Sequence, residues 1–106
     1  MAAGDLLFVS GVVGFEEDGS VPSDFARAAE LTLRELERAL RAGGATFSSL
    51  VRMNIYVAGL DKEKLQTYRR VRDEFIDTNN IPASTLIGVA ALFNDSTIEI
   101  DAIAAN

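Results

Sequence analysis

Glu99 and Asp101 stand two residues apart in the closing segment IEIDAIA, Ile98–Ala104, a spacing that sets both carboxylates on one face of an extended chain. They matter because the 106 residues include no histidine and no cysteine. Thiolate nucleophiles, disulfides and sulfur-ligated metals are thereby excluded, and so is the side chain that most often moves protons at neutral pH. Proton transfer falls to carboxylates, hydroxyls, Lys, Tyr or an ordered water. Thr85 is a β-branched strand residue that could also meet a ligand, and Arg52 is a cation on the polar side of an alternating segment. The Glu99/Asp101 pair could also take a hard cation, but two carboxylates on one strand do not by themselves make a metal site, and neither a metal nor an organic cofactor is expected. Arg69, Arg70 and Arg72 read as a solvated helix face partly neutralised by Asp73 and Glu74.

The elements that must position these residues follow from periodicity. Leu6–Ser10 reads as a strand, apolar on both faces, and Val12–Phe15 either continues it or turns back as a hairpin arm. Glu16–Ser20 is a solvated turn. Ser23 is placed to N-cap a helix from Asp24 to about Ala42, with Phe25, Ala29, Leu33, Leu36 and Leu40 at helical spacing and a stop at Gly43-Gly44. Phe47–Leu50 is a short connection of about one helical turn. Val51–Val57 alternates, with Val51, Met53, Ile55 and Val57 on one face and Arg52, Asn54 and Tyr56 on the other. A second helix starts near Asp61 and runs to about Thr78, ended by Asn79-Asn80 and Pro82. Thr85–Ala90 is apolar on both faces, as in a strand covered on both sides. Thr97–Ala104 alternates again, and the turn-like Asn94-Asp95-Ser96 joins the two.

This order makes a two-layer α+β or α/β domain spanning residues 1–106: a mixed sheet with two helices on one face. Two helices leave the other face bare. Tyr56, Ile103 and one pair from the first strand would form an exposed patch too apolar for a monomer, so an oligomer joined through the bare faces is expected. A net charge of −6 and a pI near 4.5 weigh against nucleic acid as a partner. No segment approaches the ~20 apolar residues of a membrane span, no secretory leader is evident, and a cytoplasmic setting is expected.

The segment GDLLFVSGVVG at Gly4–Gly14, the run LRAGGATFSSLVRMNIYV at Leu40–Val57, the pair Pro82-Ala83 and the closing IEIDAIA together resemble the RidA/YjgF family, in order and spacing, over nearly the whole chain. The resemblance implies a chorismate-mutase-like fold and a homotrimer whose sheets form a central barrel, with small-molecule clefts between subunits. It implies hydrolysis of enamines and imines such as 2-aminoacrylate to a keto acid and ammonia. An arginine directly after Pro-Ala binds the substrate carboxylate in that family, and a glutamate in the closing strand orients water.

Carried over by residue, Glu99 stands at the glutamate position and Ser84 at the arginine position, fifteen residues earlier as in the family pattern. Ser10-Gly11 matches the family's Ser-Gly. Val12 stands where glutamine is usual, Ala28 and Glu35 where the first helix has Gln and Asn, and Tyr68 at a helix-two Asn. The chain starts at the family's second strand-like segment, without the Gly-Pro-Tyr stretch that contributes a pocket tyrosine. Ser84 is the departure with the largest consequence. A guanidinium gives a carboxylate two parallel charge-assisted hydrogen bonds worth roughly 1.5–3 kcal/mol each, a serine one neutral bond worth about 1 kcal/mol.

Two outcomes follow, a trimeric small-molecule-binding protein and a working deaminase. In the first, imine deamination is lost or redirected toward a neutral or differently charged ligand meeting Ser10, Gly11 and Ser84, with Glu99 as acceptor. In the second, deamination survives with Arg52 as substitute cation, set against the plainer expectation that Arg52 pairs with Glu99 or Asp101. Relatives described as ribonucleases or translation inhibitors suggest a third, RNA-directed role, which the acidic charge and missing histidines disfavour.

Overall fold

The computed structural model describes residues 1–105, with the chain running β1 (Ala2–Ala3), β2 (Leu6–Val12), α1 (Phe25–Ala42), β3 (Leu50–Ala58), α2 (Lys62–Arg72), β4 (Ala83–Val89) and β5 (Ile98–Ala105). Single turns of 3-10 helix, Phe47–Ser49 and Phe93–Asp95, precede β3 and β5. The sheet order is β1-β2-β5-β3-β4, antiparallel except for the parallel pair β3/β4. Both helices lie on one face of this mixed sheet, the two-layer arrangement expected from the order of elements, and its class is α+β. The segments that flank Asn94-Asp95-Ser96 are not neighbours in the sheet, because β3 lies between β4 and β5.

Alternation decides what each strand buries. Met53, Ile55 and Val57 of β3 and Ile98, Ile100, Ala102 and Ala104 of β5 face the helices, against Leu33, Leu36 and Leu40 of α1 and Tyr68 and Val71 of α2. Helix α1 begins one residue later than expected. Its N-cap is Asp24 rather than Ser23, because the Asp24 carboxylate accepts from the Arg27 backbone N–H at 3.1 Å. At the other end Gly44 takes φ +80°, and the N–H groups of Gly44 and Ala45 close on the carbonyls of Arg41 and Leu40 at 3.0 and 2.8 Å. This left-handed cap explains the glycine pair without any phosphate loop.

Helix α2 stops at Arg72 rather than near Thr78. The chain turns there because Phe75 and Ile76 must reach the core. Ile76 is buried, and the Phe75 ring meets Phe47 edge-on with centroids 5.9 Å apart. Strand β2 ends at Val12, and its hairpin partner is Ala2–Ala3 on its other side rather than Val12–Phe15. Gly14 instead crosses α1 closely: its N–H donates to the buried Thr32 hydroxyl at 3.2 Å, and a Cβ there would lie 2.3 Å from the Leu31 carbonyl carbon.

Two register shifts refine the expected faces. Leu50 pairs with Ala104 and Arg52 with Ile103, so Val51 bulges out and is 49% exposed instead of joining Met53 in the core. Between Val9 and Val12 the shift falls at Ser10-Gly11. The apolar strand near Thr85 is an edge strand with its non-helical face open, rather than one covered on both sides within the protomer.

Candidate functional site

The face that the helices leave uncovered carries almost all of the polar side chains singled out above. Register aligns them in rows across the sheet. Asp101, Asn54 and Thr85 form one row, and Glu99, Tyr56 and Ile87 the next. A third row runs Phe8, Ile103, Arg52 and Ala83. Around the polar groups, Leu6, Phe8 (41% exposed) and Ile87 (45% exposed) leave apolar surface open.

Asp101 is the fixed centre of this face. Its Oδ1 accepts from Asn54 Nδ2 and its Oδ2 from the Tyr56 hydroxyl, both at 2.8 Å. Because both oxygens already receive donors, the carboxylate is not poised to bind a metal with Glu99. Among the described residues no group of three or more acidic side chains gathers as a metal site. The hydrogen bond to Asp101 holds the Tyr56 phenol above its ordinary pKa. Desolvation and the charges of Asp101 and Glu99 push the same way, and Arg52 opposes them. Asn54 and Tyr56 were only polar-face residues in the sequence. Their i, i+2 spacing facing the i, i+2 pair Glu99/Asp101 is the signal that an antiparallel pairing would bring four polar groups together.

Arg52 does not pair with either carboxylate. Its Nη2 donates to the Thr85 hydroxyl on β4, and among the described residues it joins no ion pair. The reason is positional: Arg52 faces Ile103 on β5, one row away from Asp101, and Asp101 is already saturated by Asn54 and Tyr56. Arg52, Thr85 and Ala83 are thus brought together along the β3/β4 edge.

Glu99 is the least committed acid on this face. No side-chain donor reaches it among the described residues, and its carboxylate lies over the backbone of Gly11, where a Cβ would come within 2.3 Å of Oε2. A glycine at the Ser10-Gly11 irregularity makes room for that carboxylate, and any larger residue would displace it. Half-buried and without a partner, Glu99 is free to accept a hydrogen bond from water or a ligand.

Ser84 is not on this face. It pairs in register with Met53 and shares the helix side with Leu86, whereas its neighbour Thr85 faces the other way. Within one protomer Ser84 and Glu99 are therefore on opposite faces of the sheet. The strand parity that the sequence already displayed, Leu86 against Ile87, implies this separation. On the helix side Tyr68 is 3% exposed, and its hydroxyl is buried without a hydrogen-bond partner.

With this geometry in place, similarity to known proteins becomes informative. The family model described as Endoribonuclease L-PSP matches residues 1–106. The chain belongs to the RidA/YjgF family. The RutC family protein YjgH of Escherichia coli is 32% identical over 90 residues, covering 85% of this chain and 68% of that protein. The 2-iminobutanoate/2-iminopropanoate deaminase of Rattus norvegicus is also 32% identical, over 100 residues, covering 92% of this chain and 71% of the enzyme. The crystal structure of E. coli TdcF with bound serine superimposes with a TM-score of 0.89 at 26% identity, over all of this chain and 84% of that one. RidA/YjgF structures thus share the two-layer fold described above. Among the described residues no helix is long and apolar enough to cross a membrane.

Proposed function

We propose that this RidA/YjgF protein is a homotrimer that binds a small metabolite in clefts between subunits, and that 2-aminoacrylate-type imine deamination is lost or altered in it. The observation that carries the reading is the split of the site: the water-orienting candidate Glu99 is open over Gly11, while the position of the family's carboxylate-binding arginine is held by Ser84. Relatedness to an enzyme named for 2-iminobutanoate and 2-iminopropanoate, and to TdcF with bound serine, supports small 2-substituted acids and their imines as the ligand class. The exposed Leu6, Phe8 and Ile87 support assembly through the bare face, since burying them removes apolar surface from water. Glu99, Ser10, Gly11, Ala83, Ser84, Thr85 and Arg52 are the residues assigned to the clefts.

Ammonia release from enzymatically generated 2-aminoacrylate, measured with and without the purified protein, tests this directly. No acceleration, together with a trimer mass by light scattering and saturable binding of a small 2-substituted acid, is the expected result. Turnover comparable to an arginine-bearing relative overturns it.

A second reading is favoured by Arg52, which shares the bare face with Glu99 and is held by Thr85 rather than neutralised by a carboxylate. Here Arg52 replaces the missing cation, Glu99 holds the water that attacks the imine carbon, and polar donors stabilise the charge that develops. An Arg52→Ala protein that stays trimeric and loses turnover supports it; full activity in that variant removes it.

A further inference from the structure

Beyond the C-terminal end of α2, the turn that carries Phe75 and Ile76 into the core meets the single 3-10 turn before β3, and a cavity of about 230 Å³ lies there. Phe47, Ser48, Phe75, Ile76, Asp77 and Asn80 line it. The ring planes of Phe47 and Phe75 are 65° apart, so the pair makes two aromatic walls at an angle rather than one flat stack. An aromatic face attracts positive charge through its quadrupole, and Phe75 already shows this: the Arg34 guanidinium carbon lies 5.8 Å from its ring centroid. That guanidinium is itself neutralised by Glu30 at 2.9 Å and does not line the cavity.

Asp77 adds a carboxylate. Its Oδ1 accepts the Asn79 N–H at 2.9 Å and its carbonyl the Asn80 N–H at 3.0 Å, bonds that close the turn and fix where the side chain stands. Its Oδ2 receives no donor, and Asp77 enters no ion pair among the described residues. No Lys or Arg lines the cavity. Two aromatic walls beside one unpaired carboxylate suit an organic cation, whereas a metal ion would need more oxygen ligands than this place supplies. A methylated ammonium fits better than a primary one, because it surrenders few hydrogen bonds to water when it enters. The net charge of −6 draws cations toward the chain from a distance.

We propose that this cavity binds a small methylated ammonium, with its methyl groups against Phe47 and Phe75 and its charge beside Asp77. The site shares no residue with the clefts assigned to Glu99, Arg52 and Ser84, so it is a second ligand site, independent of whether imine chemistry survives there.

The test is an amide NMR titration of the full chain with tetramethylammonium chloride and, as an uncharged counterpart of similar size, tert-butanol, at constant ionic strength. The cation should shift residues 46–49 and 75–80 saturably, and tert-butanol should not. Asp77→Asn should weaken the cation about two- to fivefold, the contribution of one exposed charge pair, and Phe47→Leu by a similar factor through loss of a ring. Asp77 is exposed, so Asp77→Asn keeps the fold and decides the matter if Phe47→Leu does not fold. Equal binding of tert-butanol, no saturable shift, undiminished binding in Asp77→Asn, or shifts centred on Glu99 and Gly11 overturns the assignment.

Discussion

The two faces of the sheet are built from the same strands, alternate residues apart, yet they do opposite work. On the helix face Met53, Ile55, Ile98 and Ile100 are almost wholly buried and belong to the apolar core. On the other face Asn54, Tyr56, Glu99 and Asp101 are half-buried and rimmed by exposed apolar side chains, and Asn54 and Tyr56 hydrogen-bond across the strands to Asp101. The contrast teaches that stability and chemistry in this protein are separated by strand parity rather than by distance. A substitution's effect should follow the face it lands on, even between consecutive residues.

The largest expected contrast is between neighbours on β5. Ile100→Ala removes a fully buried side chain and should cost about 2–5 kcal/mol in urea unfolding. Glu99→Gln, one residue earlier, should stay within about 0.5 kcal/mol while changing ligand binding or turnover. Similar costs for the two would break the separation of the faces.

Two glycines sharpen the same point at smaller scale. Gly14→Ala drives a methyl group into the α1 backbone at Leu31 and Thr32, and should cost about 1–3 kcal/mol in thermal or chemical unfolding. Gly11→Ala meets only the tip of the Glu99 side chain, which can move aside, so its stability loss should be under about 1 kcal/mol. Its effect belongs in the affinity or turnover assay. A Gly11→Ala protein as unstable as Gly14→Ala would mean that the Glu99 carboxylate is structural.

Asp101→Asn keeps the shape but removes the charge and one of the two acceptors that Asn54 and Tyr56 share, at an expected cost of about 1 kcal/mol. Ultraviolet titration gives the sharper readout, since Tyr56 should then ionise at lower pH than in the parent chain. In the parent both tyrosines hold their protons more tightly folded than unfolded. Their share of stability is therefore complete below about pH 10 and declines as pH rises through the folded-state values. The smallest effect is expected at Tyr68→Phe, which deletes a buried hydroxyl that has no partner. Stability at neutral pH should be unchanged or rise by up to about 1 kcal/mol, and the alkaline decline should flatten.

Much of this division was legible in the amino-acid order. Period-two alternation in Val51–Val57 and Ile98–Ala104 gave the faces of β3 and β5, and helical spacing gave the buried stripe of α1. What escaped was set by long-range contact. The bulge at Val51 exists because β3 must meet β5 in register, the early end of α2 because Phe75 and Ile76 are drawn to the core, and β1 because Ala2 and Ala3 pair with Leu7 and Leu6. Periodicity records none of these. At the site, Glu99 and the Ser10-Gly11 pair could be named from the sequence, whereas the Arg52–Thr85 bond and the two donors on Asp101 depend on which strands are neighbours. Ser84 was found by resemblance, but its turn toward α2 follows from parity along β4.

The outward Val51 also offers a practical handle. The chain has no cysteine, so Val51→Cys would place one thiol on a bulge whose side chain leaves the core intact. A fluorophore attached there would sit at the margin of the uncovered sheet, and its emission would report, in solution and in real time, whether that margin meets water or another subunit.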